Sequence, residues 1–250
     1  MKRARISHQG RSVWAEVVDG DRNLRTADGA IVPAEKANWL APVLPGATVF
    51  ALGLNYPDRS TQLGFKAPAE PLVFLKGGQT FVGHHGVTRR PADADQMHPE
   101  CELVAVIGKV ARRVKQVDAF DFVSGYTVAN DYAIRNYLEN YYRPNLRVKN
   151  RDACTPMGPW IIDAADIGDP QNLALRTTIS GREIQSGSTA QMVFGIPALI
   201  EHLSSFMTLM PGDMILTGTP HGVSFVAPGD EVVCEIEKVG RLVNHVVAAP

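Results

Sequence analysis

The 250-residue sequence lacks the features that mark several large classes of protein. Its charge is almost balanced, with 25 Lys and Arg against 26 Asp and Glu, whereas nucleic-acid-binding proteins usually carry a basic excess. No apolar run approaches the roughly 18 residues that a membrane-spanning helix needs. The basic N-terminus has no apolar segment of the signal-peptide kind. We therefore expect a cytoplasmic globular protein with no nucleic-acid or membrane partner.

Cysteine and histidine are too few and too scattered to indicate a zinc site or a disulfide framework. The three cysteines, Cys101, Cys154 and Cys234, form an odd and widely spaced set. The seven histidines show no ligand spacing, and the adjacent pair His84 and His85 is expected in a loop. These residues are therefore given no chemical role.

What the sequence does contain is a series of short β-type segments separated by Gly and Pro turns. Several of them are apolar throughout, which indicates a sheet covered on both faces. The pattern favours a mixed, β-dominated α+β fold over a doubly wound one. Strands are predicted at residues 12–18, 49–54, 72–76, 103–108, 125–131, 213–216 and 231–235.

The organisation predicted along the chain is a small N-terminal β segment followed by one large unit. A Pro-containing stretch at residues 41–46 suggests a boundary between a segment 1–47 and a domain 48–250. A short helix is predicted over residues 133–142, ended by a proline at 144. Ser188 and Gln191 have the spacing of a capping box, and Pro197 fits the first turn of a following helix.

The most informative segment begins at Glu100 and Glu102. Side chains two residues apart on a strand share a face, so these carboxylates project together at the entrance of a buried strand. Two partly desolvated carboxylates either share a proton or hold a cation, and hard divalent ions prefer oxygen ligands. The alternative is a solvated strand end.

Asp131 follows the next predicted strand and adds a third acid. Together with Glu100 and Glu102 it would complete a three-carboxylate face for one octahedral metal. The alternative is that Asp131 caps the helix predicted after it. Lys149 either holds a substrate anion near the metal or lies on the surface. Residues 216–223 form a Thr/Gly loop that suits a carboxylate, or are only a turn.

Six separated motifs resemble the fumarylacetoacetate hydrolase family over about residues 48–247. The resemblance implies a β-sandwich roll, usually assembled as homodimers or larger oligomers. The matching motifs are Gly53-Leu54-Asn55-Tyr56, Glu100-x-Glu102, Gly125-Tyr126-Thr127-x-x-Asn130-Asp131, Lys149-x-x-Asp152, Pro156-x-Gly158-Pro159-Trp160, and Gly212-Asp213-x-Ile215-x-Thr217-Gly218-Thr219-Pro220-x-Gly222-Val223.

Within the family, residues 71–76, 131–149 and 206–215 resemble the C-terminal repeat of members with two such repeats. Those members decarboxylate and isomerise intermediates of homoprotocatechuate (4-hydroxyphenylacetate) degradation. The resemblance thus implies activity on 5-oxopent-3-ene-1,2,5-tricarboxylate or 2-hydroxyhepta-2,4-diene-1,7-dioate, both small 2-oxo-acid-type substrates. Here a single repeat stands after a short N-terminal segment.

The resemblance also assigns roles to particular residues of this sequence. It implies that Mg²⁺ is the usual metal and that Mn²⁺ is tolerated. Lys149 becomes the catalytic candidate, able to move a proton if its pKa is lowered. The implied metal ligands are Glu100, Glu102 and Asp131, and the implied substrate contacts are Thr219, Gly218, Arg135, Asn55 and Tyr56.

One departure from the family bears on the reaction. Family hydrolases, and several decarboxylases, carry a His and a Glu shortly after the Asn-Tyr pair, where this sequence has Arg59 and Gln62. Arginine is not a general base near neutral pH, and glutamine does not ionise. Arg59 either pairs with a distal substrate carboxylate or lies on a mobile loop. The substitution weakens the rival interpretation, an acylpyruvate or fumarylpyruvate hydrolase. A second rival is a non-catalytic, metal-binding subunit that completes an oligomer with a sister chain.

Overall fold

The computed structural model describes residues 1–57, 68–138, 146–222 and 224–250. Within these ranges β-strands dominate, which confirms the predicted β-dominated α+β class. The strands are β1 (Lys2–His8), β2 (Arg11–Val18), β3 (Asn23–Thr26), β4 (Ile31–Pro33), β5 (Asn38–Leu40), β6 (Val49–Gly53), β7 (Leu72–Leu75), β8 (Phe81–Val82), β9 (Gly86–Arg90), β10 (Met97–His98), β11 (Cys101–Ile107), β12 (Val123–Asn130), β13 (Ala133–Ile134), β14 (Thr155–Asp163), β15 (Ala174–Ile179), β16 (Arg182–Ser188), β17 (Met214–Leu216), β18 (Glu231–Ile236) and β19 (Gly240–Ala248).

Helical structure in the described ranges is sparse. Two α-helices are present, the single turn α1 (Leu146–Lys149) and α2 (Ile196–Phe206). Neither has the length and apolar character that crossing a membrane requires, nor does any other helix of the described residues. The 3₁₀ turns are Ala34–Lys36, Gly78–Thr80, Gln116–Phe122, Arg135–Tyr137, Ala164–Asp166 and Thr189–Gln191.

Two sheets and a short ribbon account for the strands. The 12-stranded sheet has the order β4-β3-β2-β1-β14-β12-β11-β17-β6-β7, with β5 beside β1 and β8 beside β14. The five-stranded sheet has the order β16-β15-β18-β19-β9, and β10 pairs with β13. Both sheets are mainly antiparallel, although β6 runs parallel to β17 and β9 runs parallel to β19.

The central strand β11 is buried on both faces. Cys101 and Leu103 point into the main core, where the large sheet packs against the five-stranded sheet and α2. Val104 and Val106 point the other way, into a second core that the N-terminal segment covers with Ala41 and neighbouring residues. This alternation explains why the strand is apolar throughout its sequence, and it places Cys101 on the strand face opposite the two glutamates.

The N-terminal segment continues the large sheet. Strand β1 pairs antiparallel with β14. The residues opposite each other are Lys2 with Ile162, Arg3 with Ile161, and Ala4 with Trp160. The segment also has a small core of its own, which consists of Ala4, Ile6, Ala15, Leu24 and Trp39. The division into units 1–47 and 48–250 stays a prediction.

Most of the predicted local structure is confirmed. Strands β2, β6, β7, β11, β12, β17 and β18 occupy the predicted segments to within about two residues at most ends. The capping box is present, because the Ala190 N–H donates to Ser188 Oγ at 3.2 Å and the Ser188 N–H to Gln191 Oε1 at 2.9 Å. Helix α2 begins with Pro197 in its first turn, as predicted.

The helix predicted over residues 133–142 is wrong in its described part. Ala133 and Ile134 instead pair with His98 and Met97 as the short ribbon, and a 3₁₀ turn follows. Both residues are buried, so tertiary pairing overrides their helical pattern. Asp131 consequently caps no helix. Residues 139–145 lie outside the described ranges.

Candidate metal centre and active site

Three carboxylates converge where β11 and β12 meet at one end of the large sheet. Glu100 and Glu102 stand at the start of β11, and Asp131 follows the end of β12. Pairing of Cys101 with Asn130 places these strand ends side by side, and the Asp131 N–H donates to the Glu100 carbonyl oxygen at 2.9 Å. One oxygen from each carboxylate lies within 4.8 Å of the other two. The predicted triad is therefore assembled, while its role as a ligand set stays a prediction.

Glu102 carries the strongest indication of a bound cation. Its side chain is 1% exposed, and Oε2 accepts the Gly218 N–H at 2.7 Å. Among the residues that the structure describes, none donates to its Oε1. Burial, and after it the Asp131 carboxylate, raises the pKa of Glu102 well above its usual range. An incompletely paired, all-oxygen cluster of this kind fits a hard divalent cation.

Two ammonium groups lie against Asp131, one on each carboxylate oxygen. Lys149, the last residue of α1, donates to Asp131 Oδ2 at 2.9 Å and to Glu100 Oε2 at 2.6 Å. Lys76, which follows β7, donates to Asp131 Oδ1 at 2.6 Å and also to the Lys149 carbonyl oxygen. Sequence reasoning found Lys149 and missed Lys76. A lysine directly after an apolar strand was the available signal, because lysine is rarely buried without a partner.

Lys149 is charged in this arrangement. Burial disfavours its ammonium form, but the carboxylates of Asp131, Glu100 and Glu102 outweigh burial and raise its pKa. The lowered pKa that we considered for a proton-moving lysine is therefore not what these neighbours produce. The three N–H donors of its ammonium are all in use, on Glu100 Oε2, on Asp131 Oδ2 and, at 2.9 Å, on the Asp131 carbonyl oxygen, so Lys149 can hold a further oxygen only in exchange for one of these bonds.

The loop after β17 supports the carboxylates with its main chain. Gly218 has φ +86°, and a Cβ at this position would lie 3.0 Å from the Asn55 Cβ. Thr219 is buried, and its Oγ1 accepts from Gln185 Nε2 at 2.9 Å. Gln185 also donates to the Pro220 carbonyl oxygen at 2.7 Å. Nothing in the sequence marks Gln185, whose importance comes from the meeting of β16 with this loop.

Asn55 and Tyr56 occupy the turn after β6 beside the same loop. The Asn55 amide donates to the carbonyl oxygens of Thr217 and Phe194 at 2.9 and 3.0 Å, and its Oδ1 accepts the Phe194 N–H at 2.9 Å. These bonds tie three chain segments together. Tyr56 is buried, and burial followed by the Glu102 carboxylate raises the pKa of its phenol. Substrate binding by either residue stays a prediction.

Arg135 is not brought into the carboxylate cluster. It is half-buried at the start of a 3₁₀ turn, and its backbone N–H donates to the Gln96 carbonyl oxygen at 3.0 Å. Within the described part of the chain, its guanidinium has no hydrogen bond or ion pair. Arg59 and Gln62 lie outside the described residues, so their predicted consequences stay predictions.

One further residue next to the triad was missed. His98 is 1% exposed, and its Nδ1 lies 3.6 Å from Glu100 Oε1. Its position two residues before Glu100, on a segment that pairs with β13, brings the imidazole against this carboxylate. The sequence offered a weak signal, because a single histidine near an acid is common.

Comparison with known proteins agrees with this geometry. The family model described as Fumarylacetoacetate (FAA) hydrolase C-terminal matches residues 48–247, which is 200 of the 250 residues. The chain belongs to the fumarylacetoacetate hydrolase family. The 4-hydroxyphenylacetate degradation bifunctional isomerase/decarboxylase of Salmonella dublin is 59% identical over 214 residues. That stretch is 86% of this chain and 50% of the relative, so the chain spans about half the length of this curated member.

Solved structures with the same fold match the chain over its full length. The 5-carboxymethyl-2-hydroxymuconate delta-isomerase of Mycobacterium smegmatis is 34% identical with a TM-score of 0.88, and 100% of each chain is covered. The maleylpyruvate hydrolase of Sphingobium sp. SYK-6, in complex with manganese(II) and pyruvate, is 25% identical with a TM-score of 0.84, again over 100% of each chain. The chain is thus similar to an isomerase and, more distantly, to a hydrolase.

Proposed function

We propose that this chain is a metal-dependent decarboxylase/isomerase of 2-oxo-acid-type substrates. The proposed substrates are 5-oxopent-3-ene-1,2,5-tricarboxylate and 2-hydroxyhepta-2,4-diene-1,7-dioate, in homoprotocatechuate (4-hydroxyphenylacetate) degradation. The observation that carries the proposal is the buried triad of Glu100, Glu102 and Asp131 with the Lys149 ammonium against it. The 59% identity to the isomerase/decarboxylase of Salmonella dublin supports the choice of reaction.

The proposed cofactor is Mg²⁺, with Mn²⁺ as a substitute, held by Glu100, Glu102 and Asp131. Such an ion polarises the oxygens of a chelating 2-oxo acid and stabilises the negative charge of an enolate. Manganese(II) with pyruvate in the related maleylpyruvate hydrolase supports this choice. The hydrogen bond from the Gly218 N–H would orient Glu102, and the bond from the Lys76 ammonium would orient Asp131.

The chain's own residues supply the remaining chemistry that we propose. The Lys149 ammonium exchanges one of its three present hydrogen bonds to hold an anionic substrate oxygen, and it is the proton donor. Because Thr219 Oγ1 already accepts from Gln185, its O–H is left to donate to the substrate carboxylate. The Gly218 N–H is committed to Glu102, so Gly218 acts on the substrate indirectly.

The proposal is tested by following the ultraviolet absorbance of both conjugated substrates with purified protein. We expect turnover that stops with EDTA and returns with Mg²⁺ or Mn²⁺. Glu102→Gln should abolish it and weaken Mn²⁺ binding in calorimetry by about 100-fold or more, since it removes a charged ligand. The exposed Glu35→Gln is the matched control and should behave as wild type. Equal rates after chelation would contradict the metal mechanism, and no turnover of either compound would contradict the substrates.

A second candidate is hydrolysis of an acylpyruvate or fumarylpyruvate, favoured by the likeness to maleylpyruvate hydrolase. Arg59 and Gln62 argue against it, because neither can activate water as a base. Coupling the assay to pyruvate detection separates the reactions, since pyruvate is released only by the hydrolase.

We further propose that the chain acts in the cytoplasm as a homodimer or larger homo-oligomer. The rival assembly is a complex of this chain with a sister chain. It is considered because the chain matches only about half the length of its curated relatives. Size-exclusion chromatography of the chain alone, followed by the absorbance assay, distinguishes them. Activity that requires a second polypeptide would support the sister chain.

A further inference from the structure

The segment that carries Lys149 has little structure of its own to hold it in place. Helix α1 is a single turn of four residues, and isolated helices shorter than about 12 residues are marginal in water. The ammonium of Lys149 nevertheless reaches Glu100 and Asp131 at 2.6–2.9 Å. Contacts from outside the helix must therefore set its position.

Asn150 provides such a contact through both ends of its side-chain amide. Its Oδ1 accepts the Gly77 N–H at 2.7 Å, and its Nδ2 donates to the Leu75 carbonyl oxygen at 3.1 Å. Leu75 and Gly77 are the two neighbours of Lys76 in the chain. Because two bonds from one planar amide fix both distance and orientation, Asn150 sets the register between the segments of Lys76 and Lys149.

This register is what brings the two lysines together. Lys76 contacts Asp131 Oδ1 and the Lys149 carbonyl oxygen, while Lys149 contacts Asp131 Oδ2. A slip between the two segments would separate both ammonium groups from Asp131. Two further bonds, from Gln79 Nε2 to the Asn150 carbonyl oxygen at 3.1 Å and from the Asn150 N–H to the Leu146 carbonyl oxygen at 2.7 Å, hold its main chain without reaching the neighbours of Lys76.

We propose that Asn150 is a positioning residue for the reaction, which acts by aligning Lys149 and Lys76 on Asp131. The inference rests on the proposed function only in assigning Lys149 to the chemistry. In the family motifs described above, Asn150 occupies only an unspecified position, the first x of Lys149-x-x-Asp152. It acts on Lys149 and Lys76 rather than on the substrate.

The kinetic test compares Asn150→Ala, which removes both bonds, with Asn150→Asp, which keeps the acceptor for the Gly77 N–H. We expect kcat to fall by about 10–100-fold in Asn150→Ala with little change in KM, because misplacing a reacting group by about 1 Å costs that much. Asn150→Asp should also lower kcat, because it sets a carboxylate oxygen against the Leu75 carbonyl oxygen that Nδ2 contacts in wild type. The matched control is Gln171→Ala, whose amide likewise accepts a backbone N–H, that of Ile196, at 2.7 Å. It should leave kcat unchanged.

A second measurement needs no substrate. Trace labelling of amines with acetic anhydride, mapped by mass spectrometry, reports how well each lysine is protected by its ion pairs. In Asn150→Ala and in Asn150→Asp, the labelling of Lys149 should rise several-fold relative to the exposed Lys238, while Gln171→Ala leaves it unchanged.

The two measurements separate this inference from the proposed function. If wild type turns over neither substrate but the labelling of Lys149 rises in the Asn150 variants, the proposed reaction fails and the positioning role stands. If both folded variants keep wild-type labelling of Lys149 and wild-type kcat, the positioning role is overturned. Should Asn150→Ala not fold, Asn150→Asp alone decides in the same way.

Discussion

At the scale of single residues, the geometry of the site depends on how the buried Glu102 is held. One of its oxygens accepts the Gly218 N–H at 2.7 Å. Gly218 can present this N–H because its φ of +86° is readily available only to glycine. Its missing Cβ also leaves room for Asn55, which ties the loop to two other segments. The glycine therefore links the conformation of a loop to the orientation of a candidate metal ligand.

We expect Gly218→Ala to weaken metal binding beyond its effect on stability. Gly29 has the same φ of +86° with no heavy atom within 4 Å of an added Cβ, so Gly29→Ala isolates the backbone cost. That variant should lose about 1 kcal/mol of unfolding free energy and keep its Mn²⁺ affinity. Gly218→Ala should lose more and bind Mn²⁺ about 10-fold or more weakly, because the group that orients Glu102 moves. Urea unfolding measures the stability of each variant, and calorimetry measures its Mn²⁺ affinity. Equal Mn²⁺ affinities of Gly218→Ala and wild type would show that the Gly218 N–H does not position Glu102.

At the scale of elements, the turn between β8 and β9 joins three parts of the molecule. His84 Nδ1 accepts the Val243 N–H of β19 at 3.0 Å, and its ring meets Trp39 of β5 edge-on at 5.1 Å between centroids. Burial, and then the nearby His85, Arg241 and His245, lowers the pKa of His84 to about 3. The imidazole thus stays neutral in the folded protein at pH values where it would be charged in the unfolded chain.

This difference predicts a loss of stability in acid. Below about pH 6.5 the unfolded chain binds a proton at His84 that the folded protein does not, so the unfolding free energy falls as pH decreases toward about 3. The expected loss is up to about 1.4 kcal/mol per pH unit. In His84→Asn the amide oxygen can replace Nδ1 as the acceptor without titrating. This variant should therefore lose less unfolding free energy than wild type as the pH falls. Urea unfolding from neutral to acid pH measures the difference, and parallel curves for the two proteins would refute it. Above pH 7 the curves should run parallel, which is the internal control.

At the scale of the whole molecule, the N-terminal segment is joined to the rest of the chain by a sheet and by a core. Strand β1 pairs with β14, and Ala41 and Val43 cover the second core beneath Val104. The segment therefore continues the sheet that contains β11 and β12, on which the carboxylate triad stands.

We expect a chain truncated to residues 48–250 to lose cooperative folding. Removal of residues 1–47 uncovers the second core, where Ala41 and Val43 pack with Val104 and Met157, at about 25 cal/mol per Å² of apolar surface exposed, against a typical total stability of 5–15 kcal/mol. It also exposes the unpaired edge of β14, which favours aggregation. Thermal unfolding and size exclusion of the truncated chain are the measurements. A cooperative transition near the wild-type temperature would show instead that residues 48–250 fold by themselves, as the predicted boundary allows.

Several features followed from local sequence because their cause is local. The strands around Val49, Leu103 and Val232 are apolar and β-branched, and burial on both faces selects that composition. The capping box at Ser188 and the proline at the start of α2 act within a single turn. The family and the triad were likewise predictable, because spacing on one strand already puts Glu100 and Glu102 on one face.

The wrong helix and the missed residues depend on contacts between segments that are far apart in the sequence. Residues 133–137 have a helical pattern, yet pairing with Met97 and His98 decides their conformation, and those partners are far away in the sequence. Lys76, Gln185 and Asn150 matter because of what folding brings against them, respectively Asp131, Thr219 and the backbone beside Lys76. No local pattern encodes such a meeting.

By itself, the sequence determined the family, the β-dominated architecture and the three acids that face one another, since alternation and motif spacing are properties of short segments. Only the tertiary structure decided which groups hold the acids in place. It placed a glycine N–H on Glu102 and two ammonium groups on Asp131, and it raised the pKa of Lys149 where a lowered one had been considered. Electrostatic environment depends on distance and burial in three dimensions, and both are fixed only when the sheets and loops pack together.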